Sequence, residues 1–264
     1  MKSPLLLFLF LLLTLSACRS DKIFTAYKIK EFSFQEHKAK IVFPNKEQGH
    51  NYWIWRARFW GHEPQLDKAL LEKGFHVVYV DVANLFGNEA AVERWNQFYD
   101  FCIQEYELNP KVVLEGMSRG GLIIYNWASK NTDKVFCIYA DAPVCDIKSW
   151  PGGLLKGQGN PKSWKVCLDA HGVDSNTVQS YQNIPIYTCV PVAKAGIPAI
   201  HVYGDADAVV PHTENTLLLA EQYRAAGGTI QLVPKAGVGH HPHSLKDPTL
   251  IVDFIMKSIA SNRN

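Results

Sequence analysis

The chain has 264 residues, of which 27 are basic and 25 acidic, so its formal net charge is only +2 at pH 7. This balance, with no basic run in the sequence, argues against a nucleic-acid surface, and we expect no nucleic-acid partner. Hydrophobic residues make up 47% of the chain, enough for one large α/β domain with a full core.

The N-terminus has the pattern of a secretory leader. Lys2 precedes an almost unbroken apolar run over residues 5–15, which is too short to span a bilayer as a helix. The tetrapeptide Leu15-Ser16-Ala17-Cys18 then resembles the lipobox of bacterial lipoproteins. That resemblance implies a signal peptide over residues 1–17, a lipid on Cys18 and a mature domain, 18–264, held on a membrane in the periplasm or at the cell surface. An ordinary signal peptide with an unrelated cysteine is the alternative.

Strand and helix patterns alternate through the rest of the chain. The predicted strands are two antiparallel ones within 24–43, then 52–55, 75–80, 111–115, 135–140, 197–203 and 229–233, and the predicted helices are 64–73, 90–107, 122–129, 213–226 and a last one after Asp247-Pro248. This alternation indicates a mostly parallel central sheet with helices on both faces. Residues 142–196 show no sustained period, so we expect an insertion, or cap, over the carboxyl edge of the sheet.

The segment Gly116-Met117-Ser118-Arg119-Gly120 lies between a short apolar strand pattern and a helix pattern that begins at Leu122. A serine on a sharp turn between a strand and a helix exposes its hydroxyl, and glycines two residues away on either side permit the tight turn. Ser118 is therefore a candidate nucleophile. Its alternative role is that of a small turn residue.

A serine hydroxyl needs a base, usually a histidine that a carboxylate orients. Asp207 follows the strand pattern at 197–203, and His240 follows the one at 229–233. Because parallel strands end at the same edge of a sheet, both residues are expected near Ser118.

Neighbouring residues offer alternatives for both partners. Asp205 lies on the same loop as Asp207, and Asp141 ends an earlier strand, so either could be the acid. His241 and His243 compete with His240 for the role of base. The three histidines could instead bind zinc, but adjacent histidines rarely converge on one ion and no acidic residue lies between them. We therefore expect neither a metal nor a cofactor.

Three stretches together resemble the α/β-hydrolase superfamily over about residues 24–260: the Ser118 turn, G-x-x-D-x-x-V-P at 204–211 and G-x-G-H at 237–240. Within it the chain is most similar to secreted bacterial esterases of the carbohydrate-esterase and prolyl-oligopeptidase-like branches. The resemblance implies an α/β-hydrolase fold and a serine esterase in which Ser118 is the nucleophile, Asp207 the acid and His240 the base. Its expected substrate is a small-molecule or polysaccharide ester.

The tetrahedral intermediate of such a reaction needs hydrogen-bond donors for its oxyanion. We expect the N–H of Arg119 to be one donor and the region of Arg56 and Ala57 to supply the other, although many relatives carry His-Gly there. The guanidinium of Arg119 resembles the arrangement in glucuronoyl esterases, where it assists the oxyanion. The alternative is that Arg56 or Arg119 pairs with a carboxylate at the sheet edge.

Aromatic residues in the 142–196 segment suit a carbohydrate. Trp150 is the candidate sugar platform together with Trp164, and the alternative is that both form a small core of the insertion. Two other functions stay open from the sequence: a peptidase of the prolyl-oligopeptidase type, and a non-catalytic glycan-binding lipoprotein.

The cysteines divide into two groups. Cys102 and Cys137 lie in apolar periodic segments and are expected to be buried thiols. Cys145, Cys167 and Cys189 lie in the irregular segment and are disulfide candidates.

Overall fold

The computed structural model describes residues 23–46 and 48–262. The predicted signal peptide, residues 1–17, and the predicted lipidation site, Cys18, lie outside the described residues. Within the described part, no helix is both long and apolar enough to cross a bilayer.

Eight strands form a single sheet. They are β1 (Lys28–Phe34), β2 (His37–Phe43), β3 (Trp53–Arg56), β4 (His76–Val80), β5 (Val112–Met117), β6 (Val135–Asp141), β7 (Ala199–Gly204) and β8 (Ile230–Lys235). Their order in the sheet is β1-β2-β4-β3-β5-β6-β7-β8. β1 and β2 pair antiparallel, as do β2 and β4, whereas every other pairing is parallel. The predicted, mostly parallel sheet is confirmed.

Seven α-helices are described. They are α1 (Gln65–Glu72), α2 (Glu89–Tyr106), α3 (Gly120–Lys130), α4 (Pro161–His171), α5 (Pro185–Lys194), α6 (Thr216–Ala225) and α7 (Thr249–Ser261). Short 3-10 helices cover Ala83–Leu85, Thr132–Lys134 and Thr177–Ser180. Two buried apolar clusters fill the space between the helices and the sheet.

The segment 142–196 is more regular than its sequence indicates, because it contains α4 and α5. Asn160 caps α4 by accepting a hydrogen bond from the Ser163 N–H. Helix α5 contacts α3 and α6, so it belongs to the helical layer on the sheet. Its sequence holds Pro185 at the first turn and Pro191 inside the helix, and these two prolines hide the helical pattern.

The aromatic residues of β3 belong to the core. The Trp53 and Trp55 rings stack with centroids 5.4 Å apart, and Trp55 stacks on Trp95 at 3.9 Å. All three side chains are fully buried. This stack packs helix α2 against the centre of the sheet.

The described cysteines are all free, buried thiols, Cys145, Cys167 and Cys189 among them. The disulfide candidates of the irregular segment are therefore not paired. Cys145 and Cys189 lie near backbone carbonyls of Pro143 and Ile186, at 3.6 and 3.7 Å. These thiols fill the core as small apolar groups.

The sheet order places one crevice at its carboxyl edge. The chain leaves β3 toward β4 on one side, while β5 lies on the other side of β3. Such a reversal in strand order opens a crevice between the loops that follow the two strands, where ligands bind in open α/β sheets. Here those loops are 57–64 and the turn that carries Ser118.

Candidate active site

Ser118 lies on a strained turn between β5 and α3, with a φ of +49°. Its N–H donates to the carbonyl of Asp141 at 2.8 Å, which ties the turn to β6. A Cβ on Gly116 would lie 2.8 Å from the Gly120 carbonyl oxygen and 2.6 Å from Ile124 Cδ1. The turn thus requires glycine at position 116, as the sequence pattern implies.

The structure brings together the three residues predicted as a triad. Ser118 Oγ lies 3.0 Å from His240 Nε2, and His240 Nδ1 lies 2.7 Å from Asp207 Oδ2. The other carboxylate oxygen, Asp207 Oδ1, accepts the N–H groups of Val209 and Val210, each at 2.9 Å. Since Asp207 accepts the Nδ1–H of His240, the Nε2 atom keeps its lone pair toward Ser118.

The two alternative acids have other partners. Asp205 accepts the Gly237 N–H at 2.6 Å, which links the β7 and β8 loops. Asp141 contacts His243 and not His240. Among the candidate carboxylates, Asp207 is thus the one that orients His240.

Asp141 and His243 form a second carboxylate–imidazole pair beside the triad. His243 Nδ1 lies 2.6 Å from Asp141 Oδ1, and both side chains are buried. Asp141 Oδ2 accepts the Ser244 N–H at 2.8 Å and the Tyr139 hydroxyl at 3.0 Å. The rings of His243 and His240 have centroids 4.8 Å apart. The sequence shows both residues as candidates but gives no sign of their pairing.

A pocket of about 330 Å³ opens beside the serine. Its lining residues are Phe59, Trp60, His62, Ser118, His240, His241 and His243. Burial and the neighbouring His243 lower the pKa of His62, and burial together with His243 and His240 lowers the pKa of His241. The pocket wall is thus aromatic and rich in imidazole.

Trp150, the predicted sugar platform, does not line this pocket. It packs half-buried against the core, with its ring 6.3 Å from that of Phe86. Trp164 packs against the same core. Both residues therefore pack against the main apolar cluster, and not in a separate small core of the insertion. The aromatic residues at the pocket come instead from the loop that follows β3.

The prediction that Ala57 supplies the second oxyanion donor is wrong. Its N–H donates to the Glu115 carbonyl at 2.9 Å and so belongs to the sheet. The next residue, Arg58, has its backbone nitrogen 3.9 Å from where a Cβ on Gly120 would lie, beside the start of α3. Among the described residues, neither the Arg58 N–H nor the Arg119 N–H has a hydrogen-bond acceptor. These two groups are the available donors next to Ser118.

Arg56 is not available to an oxyanion either, because its side chain is buried in an ion pair. Its Nη1 lies 2.6 Å from Asp67 Oδ2 and 3.1 Å from Glu115 Oε1. Burial raises the pKa of Glu115 well above its usual value, although the charge of Arg56 opposes that shift. This is the alternative that the sequence left open for Arg56. Glu115 within an otherwise apolar strand was the one sequence signal of a buried charge.

The same guanidinium anchors the pocket wall. Arg56 Nε donates to the Phe59 carbonyl at 3.2 Å, and Nη2 donates to the His62 carbonyl. Nη2 also lies 3.3 Å from Met117 Sδ, directly before Ser118. The buried ion pair thereby holds the loop after β3 and the nucleophile turn together.

Arg119 extends its side chain over an aromatic ring. The guanidinium carbon lies 5.4 Å from the centroid of Phe86. Burial, followed by the charge of Arg58, lowers the pKa of Arg119 to about 10, while Asp81 and Tyr79 oppose the shift. The group is still a cation at neutral pH. Its role in oxyanion binding stays a prediction.

Comparisons with known proteins identify the fold. No protein-family model and no curated protein matches this chain. Among solved structures, Pyrococcus horikoshii acylaminoacyl peptidase superposes with a TM-score of 0.65 at 14% identity, covering 88% of this chain and 42% of that one. A thermostable esterase from Pseudomonas putida gives 0.60 at 17%, covering 82% and 75%. A puromycin hydrolase gives 0.62 at 17%, covering 82% and 36%.

These likenesses define the architecture of the chain. The chain has the α/β-hydrolase fold, as the sequence predicted. It spans less than half the length of the acylaminoacyl peptidase and of the puromycin hydrolase, and three quarters of the esterase. At such low identities the comparisons establish the fold alone.

Proposed function

We propose that this protein is a serine hydrolase that cleaves carboxylic esters. The observation that carries the proposal is the continuous hydrogen-bonded chain from Ser118 Oγ through His240 to Asp207, at 3.0 and 2.7 Å. The same serine lines the 330 Å³ pocket and has a strained backbone, as a nucleophile on a strand-to-helix turn requires.

The geometry supports an acyl-enzyme mechanism. His240 Nε2 takes the hydroxyl proton as Ser118 Oγ attacks the ester carbonyl, and Asp207 stabilises the resulting imidazolium. The N–H groups of Arg119 and Arg58 bind the oxyanion of the tetrahedral intermediate. That intermediate collapses by expelling the alcohol, which receives the proton from His240. Water then attacks the acyl-enzyme with His240 again as base, releasing the acid and restoring Ser118.

For the substrate, we propose an ester on a decorated carbohydrate. Phe59 and Trp60 give the pocket an aromatic wall against which a sugar ring or an aromatic acyl group can pack. The family resemblance of the three sequence motifs favours the same substrate class.

We further propose that Cys18 carries a lipid that holds the protein on a membrane. This proposal rests on the lipobox-like tetrapeptide alone. In that case Cys18→Ser moves the protein from the membrane fraction to the soluble fraction.

A peptidase is the second candidate, since the structural neighbours include an acylaminoacyl peptidase. Rates on aryl acetates and on Xaa-Pro anilides separate the two, because an esterase turns over only the former. Faster cleavage of the anilides would show that the protein is a peptidase and contradict the proposal of an esterase.

The test of the serine itself uses a fluorophosphonate probe and hydrolysis of an aryl acetate. We expect the wild type to be labelled and Ser118→Ala to be unlabelled, with turnover lower by several orders of magnitude. Ser129→Ala, on helix α3, is the matched control and should behave as the wild type because the Ser129 hydroxyl donates to the Asn126 carbonyl of its own helix, away from the pocket. Labelling or near-normal turnover in a folded Ser118→Ala variant would refute the proposal.

A further inference from the structure

Three histidines besides His240 surround the pocket next to Ser118. His62 lies on the loop after β3, whereas His241 and His243 lie on the loop after β8. The ring centroids of His241 and His243 are 4.8 Å apart, and His62 lies 5.8 Å from His243 and 6.0 Å from His241. The three rings are mutually close to perpendicular, at 83–89°. They form a compact triangle of imidazoles.

These separations are close to those of imidazoles around a single ion. Zinc binds histidine nitrogen at about 2.0–2.1 Å in a tetrahedron, which places neighbouring ring centroids about 5 Å apart. Of the three, His241 and His243 offer ligand atoms within 4.8 Å of each other. The His62 ring lies farther away, at 5.8 and 6.0 Å from the other two, so an ion bound by all three requires the exposed His62 side chain to move toward them.

The nitrogen atoms of this triangle are available to a ligand. His240 uses both of its ring nitrogens, on Asp207 and Ser118, whereas the rings of His62 and His241 make no hydrogen bond within residues 23–46 and 48–262. His243 uses only Nδ1, on Asp141. Because that nitrogen donates its proton to the carboxylate, Nε2 retains a lone pair for a metal.

The Asp141–His243 pair matches the carboxylate–histidine arrangement that zinc sites use. A metal-bound histidine almost always donates its other N–H to a carboxylate, a carbonyl or water, which fixes the ring and its tautomer. Asp141 does this for His243 at 2.6 Å and is itself fixed by Ser244 and Tyr139. One vertex of the triangle is therefore rigid and preorganised.

We propose that His62, His241 and His243 bind a zinc ion in the pocket beside Ser118, with the fourth coordination position open to water. The adjacent histidines alone do not predict a metal site, but the structure adds His62 from a distant loop and an orienting carboxylate from β6. An ion held there occupies the space that an acyl group needs. If the proposed function holds, zinc therefore inhibits hydrolysis.

The test is calorimetric titration of zinc chloride into the untagged, chelator-treated protein at pH 7.5. We expect one ion per chain with a dissociation constant of about 10 µM or lower. His62→Ala and His241→Ala should each weaken binding at least tenfold, and both positions are exposed, so the fold is retained. The matched control is His50→Ala, an exposed histidine that precedes β3 at the opposite edge of the sheet. It should leave the affinity unchanged.

Cobalt(II) in place of zinc adds a structural readout, because a tetrahedral site gives intense visible absorption bands that His241→Ala should remove. Millimolar or weaker zinc binding, or tight binding that the His62 and His241 variants leave intact, would overturn the proposal. The titration is repeated in Ser118→Ala, where the affinity should match the wild type. The zinc affinity can therefore be interpreted even if the protein proves not to be a hydrolase.

Discussion

Asp207→Asn gives the sharpest test of the triad, because the structure determines which way the new amide must face. In the wild type, Asp207 Oδ1 accepts two backbone N–H groups, from Val209 and Val210, at 2.9 Å each. An amide nitrogen cannot accept them, so the asparagine oxygen takes the Oδ1 position. Its NH₂ group then faces His240 Nδ1, across the present 2.7 Å contact.

That orientation forces the wrong tautomer on the base. His240 must accept at Nδ1, so its proton moves to Nε2 and the ring can no longer deprotonate Ser118. The wrong tautomer in a serine triad costs about 10⁴ in kcat, equivalent to about 5 kcal/mol in the activation barrier. The two backbone hydrogen bonds survive, so the thermal midpoint should change little.

The assay is steady-state hydrolysis of an aryl acetate, with thermal unfolding measured in parallel. Asp205→Asn is the matched control, because Asp205 lies on the same loop and is exposed, and its carboxylate accepts the Gly237 N–H rather than contacting His240. We expect Asp205→Asn to keep nearly all activity. Retention of more than about a tenth of kcat by Asp207→Asn, or an equal loss in Asp205→Asn, would refute the reasoning.

Two further predictions concern stability. Arg56→Met leaves Asp67 and Glu115 buried without their cation, so we expect urea unfolding to show a loss of about 3–5 kcal/mol. The double variant Arg56→Met/Asp67→Asn should be more stable than the single one; equal or lower stability would contradict a charge effect. Burial lowers the pKa of His201 to about 3, so the unfolded chain binds a proton below pH 6.5 that the folded protein does not. Acidification from pH 6.5 toward 3 should therefore cost about 1.4 kcal/mol per pH unit from this group. His201→Gln should remove that part of the slope in urea titrations; an unchanged slope would contradict it.

The sequence predicts the framework because it depends on local patterns. Each apolar strand and amphipathic helix contributes its own period, and the parallel arrangement follows from their alternation. The same logic brings Ser118, Asp207 and His240 to one edge, because each follows a different strand of a parallel sheet. Helix α5 escapes prediction since Pro185 and Pro191 interrupt its pattern.

The remainder of the site depends on contacts between segments far apart in the chain. Nothing near Arg56 in the chain indicates that Asp67 and Glu115 enclose it, so the sequence predicts an oxyanion donor from the region of Arg56 and Ala57. Similarly, His62 reaches the pocket only because the loop after β3 folds back over the turn at Ser118. Such pairings follow from tertiary packing, which local sequence does not encode.

The buried thiols can report local unfolding of the protein. A thiol reacts as its thiolate, and burial raises the pKa of these groups, to about 12 for Cys137, Cys167 and Cys189. Reaction with a disulfide reagent therefore requires the surrounding structure to separate first. The described cysteines sit in a helix beside the sheet, in a central strand and in the segment after β6: Cys102, Cys137, Cys145, Cys167 and Cys189. Labelling these thiols and locating the label by mass spectrometry then ranks the segments that contain them by how readily each one unfolds locally.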